Sequence, residues 1–162
     1  PVAQMVGGIN MDNLYLIGET RDLRVMGYGN SELDGYLRAA AARQGMEIVP
    51  EPTPEVGFYY RSDHFNLAKQ GVPMLYAKAG HDHVQDGPER GRAWEANYFA
   101  NHYHKPSDEY DPAWDARGIM KELAAYFDVG LTLSNSAAWP QWRETSEFRA
   151  IRDRSRAAAT GD

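Results

Sequence analysis

The sequence contains no cysteine. Disulfides and thiolate metal sites are excluded, so any metal centre has to be built from His, Asp and Glu. The absence leaves the compartment open, because exported domains of this size can fold on their cores alone. Histidine is scarce as well, at five residues. No apolar run approaches the length that spans a bilayer. Lys and Arg form no dense run, and the net charge of −6 argues against a nucleic-acid-binding surface. Internal repeats and low-complexity linkers are missing too.

What remains is a globular composition, 43% hydrophobic and 25% charged over 162 residues, enough chain for one domain with a proper core. The opening P-V-A-Q-M-V-G-G-I-N-M-D reads as a helix end, a turn and a buried strand already under way. A fragment or a processed product is therefore expected.

Strand and helix signals alternate. Residues 7–12 (G-G-I-N-M-D) read as a short strand, and 23–28 (L-R-V-M-G-Y) as a second. Ser31 is a plausible N-cap for an alanine-rich helix that Gly45 stops. M-E-I-V-P-E-P is a short strand broken by prolines, and R-S-D-H-F-N-L-A-K-Q-G repeats the cap, helix and glycine sequence on a smaller scale, with Ser62 or Asp63 capping. V-P-M-L-Y-A-K-A-G is a strong buried strand, followed by a polar loop over 80–92 and a helical segment A-W-E-A-N-Y-F-A-N. One long closing helix is expected over 111–136, and 139–162 reads as a charged helical tail docked on the outside of the same domain. This order implies an α/β sandwich with a mainly parallel sheet.

In such sheets ligands gather at the carboxyl ends of the strands. Asp12 ends the first strand, and the last strand empties into a loop carrying His81, Asp82 and His83, then into N-H-Y-H-K-P-S-D-E-Y-D at 101–111. An acid and an imidazole from distant parts of the chain can therefore meet at one sheet end, as in metal sites built from N and O ligands. Each residue alone has a plainer reading. Asp12 caps a turn, His81 and His83 are solvated, and His64 sits in the first turn of a short helix.

The combination is more specific. N-M-D at a strand end, R-S-D-H-F-N-L-A-K-Q-G-V-P-M-L-Y-A-K-A-G, and Y-H-K-P-S-D-E-Y-D before a closing helix resemble the zinc-dependent exopeptidases of clan MH over residues 7–136. These are the co-catalytic dizinc aminopeptidases with their carboxypeptidase and glutaminyl-cyclase relatives. The resemblance implies a three-layer α/β sandwich with a mixed sheet, of the phosphorylase/hydrolase-like type and incomplete at its amino-terminal side. It implies that residues 1–138 are the carboxy-terminal part of the catalytic domain. It also implies two zinc ions, a peptide substrate, and export to the periplasm or the cell exterior. Asp12 matches a ligand of one zinc, and His104 a ligand of the other. Tyr103 matches a tyrosine that hydrogen-bonds the tetrahedral intermediate. Asp63 matches an acidic residue that buttresses the pocket by hydrogen bonding, and Asp108 is placed to orient the loop and accept the other imidazole N–H. His64 matches a position often held by His, with no catalytic role assigned.

The family's first zinc-binding His, its bridging Asp and its Glu pair have no counterpart in this sequence. The expectation is a peptidase fragment, inactive and weak in zinc binding alone, held by its missing amino-terminal part or self-associated. Two other readings share the fold: a non-catalytic binding module, and a single-zinc glutaminyl cyclase, which also uses one Asp and one late His.

Overall fold

The computed structural model describes residues 1–160. In chain order its elements are β1 (Gly8–Asn10), β2 (Asp22–Val25), α1 (Leu33–Arg43), β3 (Glu47–Pro50), α2 (Phe58–Arg61), α3 (Phe65–Ala68), β4 (Met74–Ala79), α4 (Gly87–Asn101), α5 (Arg117–Ser134) and α6 (Arg149–Thr160), with 3-10 turns at Val2–Gln4 and Pro54–Val56. The strands form one sheet in the order β1-β4-β2-β3. β1 runs parallel to β4 with Ile9 opposite Leu75, and β2 parallel to β3 with Leu23 opposite Ile48. The central β2–β4 pair is antiparallel, with Arg24 opposite Lys78. The sheet is therefore mixed, with parallel pairs flanking one antiparallel contact.

Side chains alternate between the faces of each strand. Leu23, Val25, Leu75 and Ala77 join Leu37, Ala41, Ala125, Tyr126 and Val129 in the main core, so α1 and α5 cover this face. Met26, Met74 and Tyr76 join Tyr59, Trp142 and Phe148 in a second cluster. Arg24 and Lys78 leave the sheet on that second side. Every residue of β4 is buried, as its apolar run implies. β1 is its neighbour but is only half-buried because it occupies the sheet edge.

Local chemistry sets the helix ends. Ser31 Oγ accepts the Leu33 N–H at 3.2 Å just ahead of α1, whose N-cap position is Glu32 and not the expected Ser31. Gly45 follows that helix in the left-handed region, at φ +71. α4 begins at Gly87, inside the stretch expected to be loop, because Pro88 is tolerated in a first helical turn where its missing N–H costs nothing. α5 begins at Arg117, later than expected. Asp111 and Asp115 accept the backbone N–H of Ala113 and Arg117, and such bonds hold the intervening segment in turns.

Of the expected tail over 139–162, residues 161 and 162 lie outside the described residues, and the helix spans Arg149–Thr160. The tail docks through Trp142 and Phe148, buried at 1% and 3% exposure. Trp142 Nε1 donates to Gly71 O at 2.8 Å. Arg152, fully buried, donates through Nη2 to Met5 O at 2.8 Å, tying α6 to the amino-terminal turn. Gly71 permits this approach, because a Cβ there would lie 2.7 Å from the Arg152 backbone nitrogen.

Candidate active site

Beyond the carboxyl end of β1 lies a cavity of about 190 Å³, lined by Asp12, Ser62, Tyr76, Lys78, Tyr103 and His104 among others. Asp12 follows β1, Ser62 links α2 to α3, and Tyr76 and Lys78 stand on β4. The Ser62 hydroxyl donates to Asp12 Oδ2 and accepts from Asn10 Nδ2, the latter at 2.9 Å. These bonds fix the carboxylate against the strand it follows.

His104 enters from the loop after α4. The His102 and Tyr103 N–H groups both donate to Tyr98 O, ending the helix. The turn is then closed by Ser107, whose Oγ donates to Asn101 O at 2.7 Å and whose carbonyl lies 3.1 Å from His102 Nδ1. One of the paired histidines thus holds the loop, and the other is presented by it. The Tyr103 and His104 rings stack at 3.8 Å, and Tyr103 packs edge-on against Phe99 at 4.9 Å.

Backbone strain is concentrated at this cavity. Among the described residues, Asn13 and His104 are the non-glycine positions with positive φ, at 55° and 57°. Both line the cavity. Left-handed conformations at such residues cost on the order of 1–3 kcal/mol and cluster at functional sites.

The other sequence candidates fall differently. Asp63 is exposed, and the hydrogen bond to Asp12 comes instead from Ser62. Asp108 accepts the Tyr98 hydroxyl at 2.9 Å, so it anchors the loop through α4. His64 precedes α3 without capping it through its side chain. It is buried against Tyr59 and Tyr76, and neither ring nitrogen has a hydrogen-bond partner among the described residues. Burial pushes its pKa down to about 4 against the opposing fields of Asp12 and Asp63. His81 and His83 are not solvated loop residues. His83 is 7% exposed, and His81 Nε2 lies 2.6 Å from Glu95 Oε2.

A charge network behind the cavity was not anticipated. Glu95 on α4 is held by Arg24 through both carboxylate oxygens, at 2.8 and 3.1 Å, and by the Tyr15 hydroxyl at 2.5 Å. Burial opposes its charge, but His81 and Arg24 outweigh that and hold its carboxyl far below the usual range. Lys78 Nζ joins by donating to Tyr15 Oη at 3.0 Å. The signal was a single cation inside each of two apolar strand runs, L-R-V-M and M-L-Y-A-K-A. A charge there demands a partner.

Among the described residues no group of three or more His, Asp or Glu could hold a metal ion. Asp12 and His104 are two donors, whereas an open catalytic zinc takes about three protein ligands plus water. These residues alone do not fit a zinc ion.

Comparison with curated proteins and with solved structures gave no match. A family profile did match. Peptidase family M28 covers residues 1–128, from the amino-terminal turn through β4 and the Tyr103–His104 loop into α5. With that span, which takes in the strained cavity and all four strands, the chain belongs to Peptidase family M28, a family of metallopeptidases.

Proposed function

We propose that this chain carries part of the catalytic centre of a zinc-dependent exopeptidase of the aminopeptidase type. One observation carries the reading: Asp12 and His104, from opposite ends of the matched region, line a single cavity together with Tyr103. In this proposal each donates to a different one of two zinc ions. The other ligands and the general base come from a segment outside the described residues. Bound there with the remaining ligands in place, zinc would supply Lewis acidity and a water of lowered pKa. Tyr103 supplies a hydroxyl to the developing oxyanion, and Ser62 fixes the Asp12 carboxylate. The unpaired outer edge of β1, among the described residues, is where that segment or a second copy would add a strand.

The test is a calorimetric zinc titration of the 162-residue chain, with an assay on aminoacyl anilides. Weak zinc binding and no turnover are expected from the chain alone, with both restored in the longer gene product. Turnover by that product on N-terminal glutaminyl peptides, with none on anilides, would replace the exopeptidase with a cyclase.

A further inference from the structure

Arg24 and Lys78 sit directly opposite one another on the antiparallel β2–β4 pair, so two cations leave the same face of the sheet side by side. The carboxylate that meets them, Glu95, is engaged by Arg24, His81 and the Tyr15 hydroxyl. Lys78 reaches this group only through Tyr15. Among the described residues no carboxylate lies within ion-pairing distance of Lys78. Glu51, which borders an adjoining cavity with Lys78 and Phe58, accepts the Gly27 N–H through Oε1 at 3.0 Å, and its buried Oε2 has no hydrogen-bond partner among the described residues, Lys78 included.

The result is a surplus ammonium on a side chain 1% exposed. A buried charge of this kind is costly without a counter-ion. The Phe58 and Tyr15 rings, at 4.6 and 4.8 Å from Nζ, offset part of the cost. Burial and the Arg24 charge still push its pKa down to about 8. Lys78 also lines the cavity that holds Asp12, Tyr103 and His104. Exposed Arg61 lines it too, with its guanidinium 5.1 Å from the same Phe58 ring. Two cations therefore border a space whose one lining carboxylate, Asp12, is assigned to the metal.

We propose that Lys78, assisted by Arg61, is a specificity-determining residue that receives a carboxylate of the bound peptide. An ammonium with spare donors beside the reacting centre would select peptides bearing an anionic group, either an acidic side chain or a free carboxyl terminus. The inference rests on the peptidase reading of the same cavity, so its test separates the two.

The probes are hydrolysis-resistant N-methylated analogues of Glu-Ala-amide, Gln-Ala and Gln-Ala-amide, titrated calorimetrically into the zinc-loaded longer gene product. One carboxylate-bearing probe binds about tenfold or more tightly than the neutral one, as a charge-assisted hydrogen bond requires. Which probe does so identifies the source of the carboxylate. Lys78→Met abolishes the difference and Lys78→Arg retains it. Equal affinity for the three probes in the parent protein overturns the proposal without recourse to any variant. So does a difference that survives Lys78→Met. Hydrolysis of unmodified Gln-Ala-amide is followed separately. Its absence would sink the peptidase reading and leave the binding ratio to decide Lys78.

Discussion

Asp12 and His104 line one cavity, although one follows the edge strand and the other belongs to the loop after α4. Tyr103 stacks on His104 within that cavity, so its hydroxyl and its ring serve different ends. If Tyr103 plays the proposed role, Tyr103→Phe in the zinc-loaded protein should lower kcat by roughly 10²–10³ while zinc content holds, since a phenol acting on charge that develops in the transition state is lost without loss of metal. His104→Ala should lose metal and turnover together. Turnover of the Phe variant equal to the parent at saturating substrate removes Tyr103 from the catalytic residues.

Ser62 is the side chain that hydrogen-bonds Asp12, whereas Asp63 is exposed. Ser62→Ala is expected to weaken zinc binding by roughly 10–100-fold, the usual cost of losing a group that orients a ligand. Ser62→Thr should recover most of it. If Asp63→Asn costs more zinc affinity than Ser62→Ala, the buttress has been assigned to the wrong residue.

Glu95 neutralises Arg24 behind the cavity. Glu95→Gln leaves that guanidinium buried and uncompensated, a change that costs about 3–5 kcal/mol in comparable pairs. Urea denaturation at pH 7 measures it. Because the folded carboxyl is held below its ordinary range, the stability it contributes is present above the unfolded pKa of about 4.3 and lost as pH falls below it. The Gln variant should show a shallower acid loss than the parent.

His64 works in the same direction by another route. Its folded pKa, pushed down to about 4 by burial, lies below the unfolded value of about 6.5. The unfolded chain therefore takes up the proton first, and stability falls as pH drops through that window. Integrated over it the loss reaches about 3 kcal/mol. His64→Phe, which keeps a ring between Tyr59 and Tyr76, should flatten the stability profile between pH 6.5 and 4. A profile unchanged by the substitution would show that another group causes the acid loss.

Periodicity made β4 and α1 legible, since an unbroken apolar run and an alanine-rich segment between Ser31 and Gly45 each specify one outcome. The approach of Asp12 and His104 to one sheet end followed from the strand-end position of Asp12 and the loop that leaves β4. The start of α5 did not, because the Asx bonds at Asp111 and Asp115 compete with helical ones without changing the sequence pattern. The buried tail was equally hidden. Arg152 reads as a solvated charge until Met5 O, far away in sequence, is brought beside it. Glu95 escaped notice for the same reason: its partners Arg24, Tyr15 and His81 converge only once the sheet and α4 are assembled.

Under the proposed function, Asp12 and His104 each hold a different zinc ion. Elemental analysis of zinc tests this in a protein that joins this chain to the proposed remaining ligands, and in its Asp12→Asn and His104→Ala variants. Two zinc ions per chain are expected in the parent, and about one fewer in each variant. Full zinc content in either variant, with the protein folded, contradicts it.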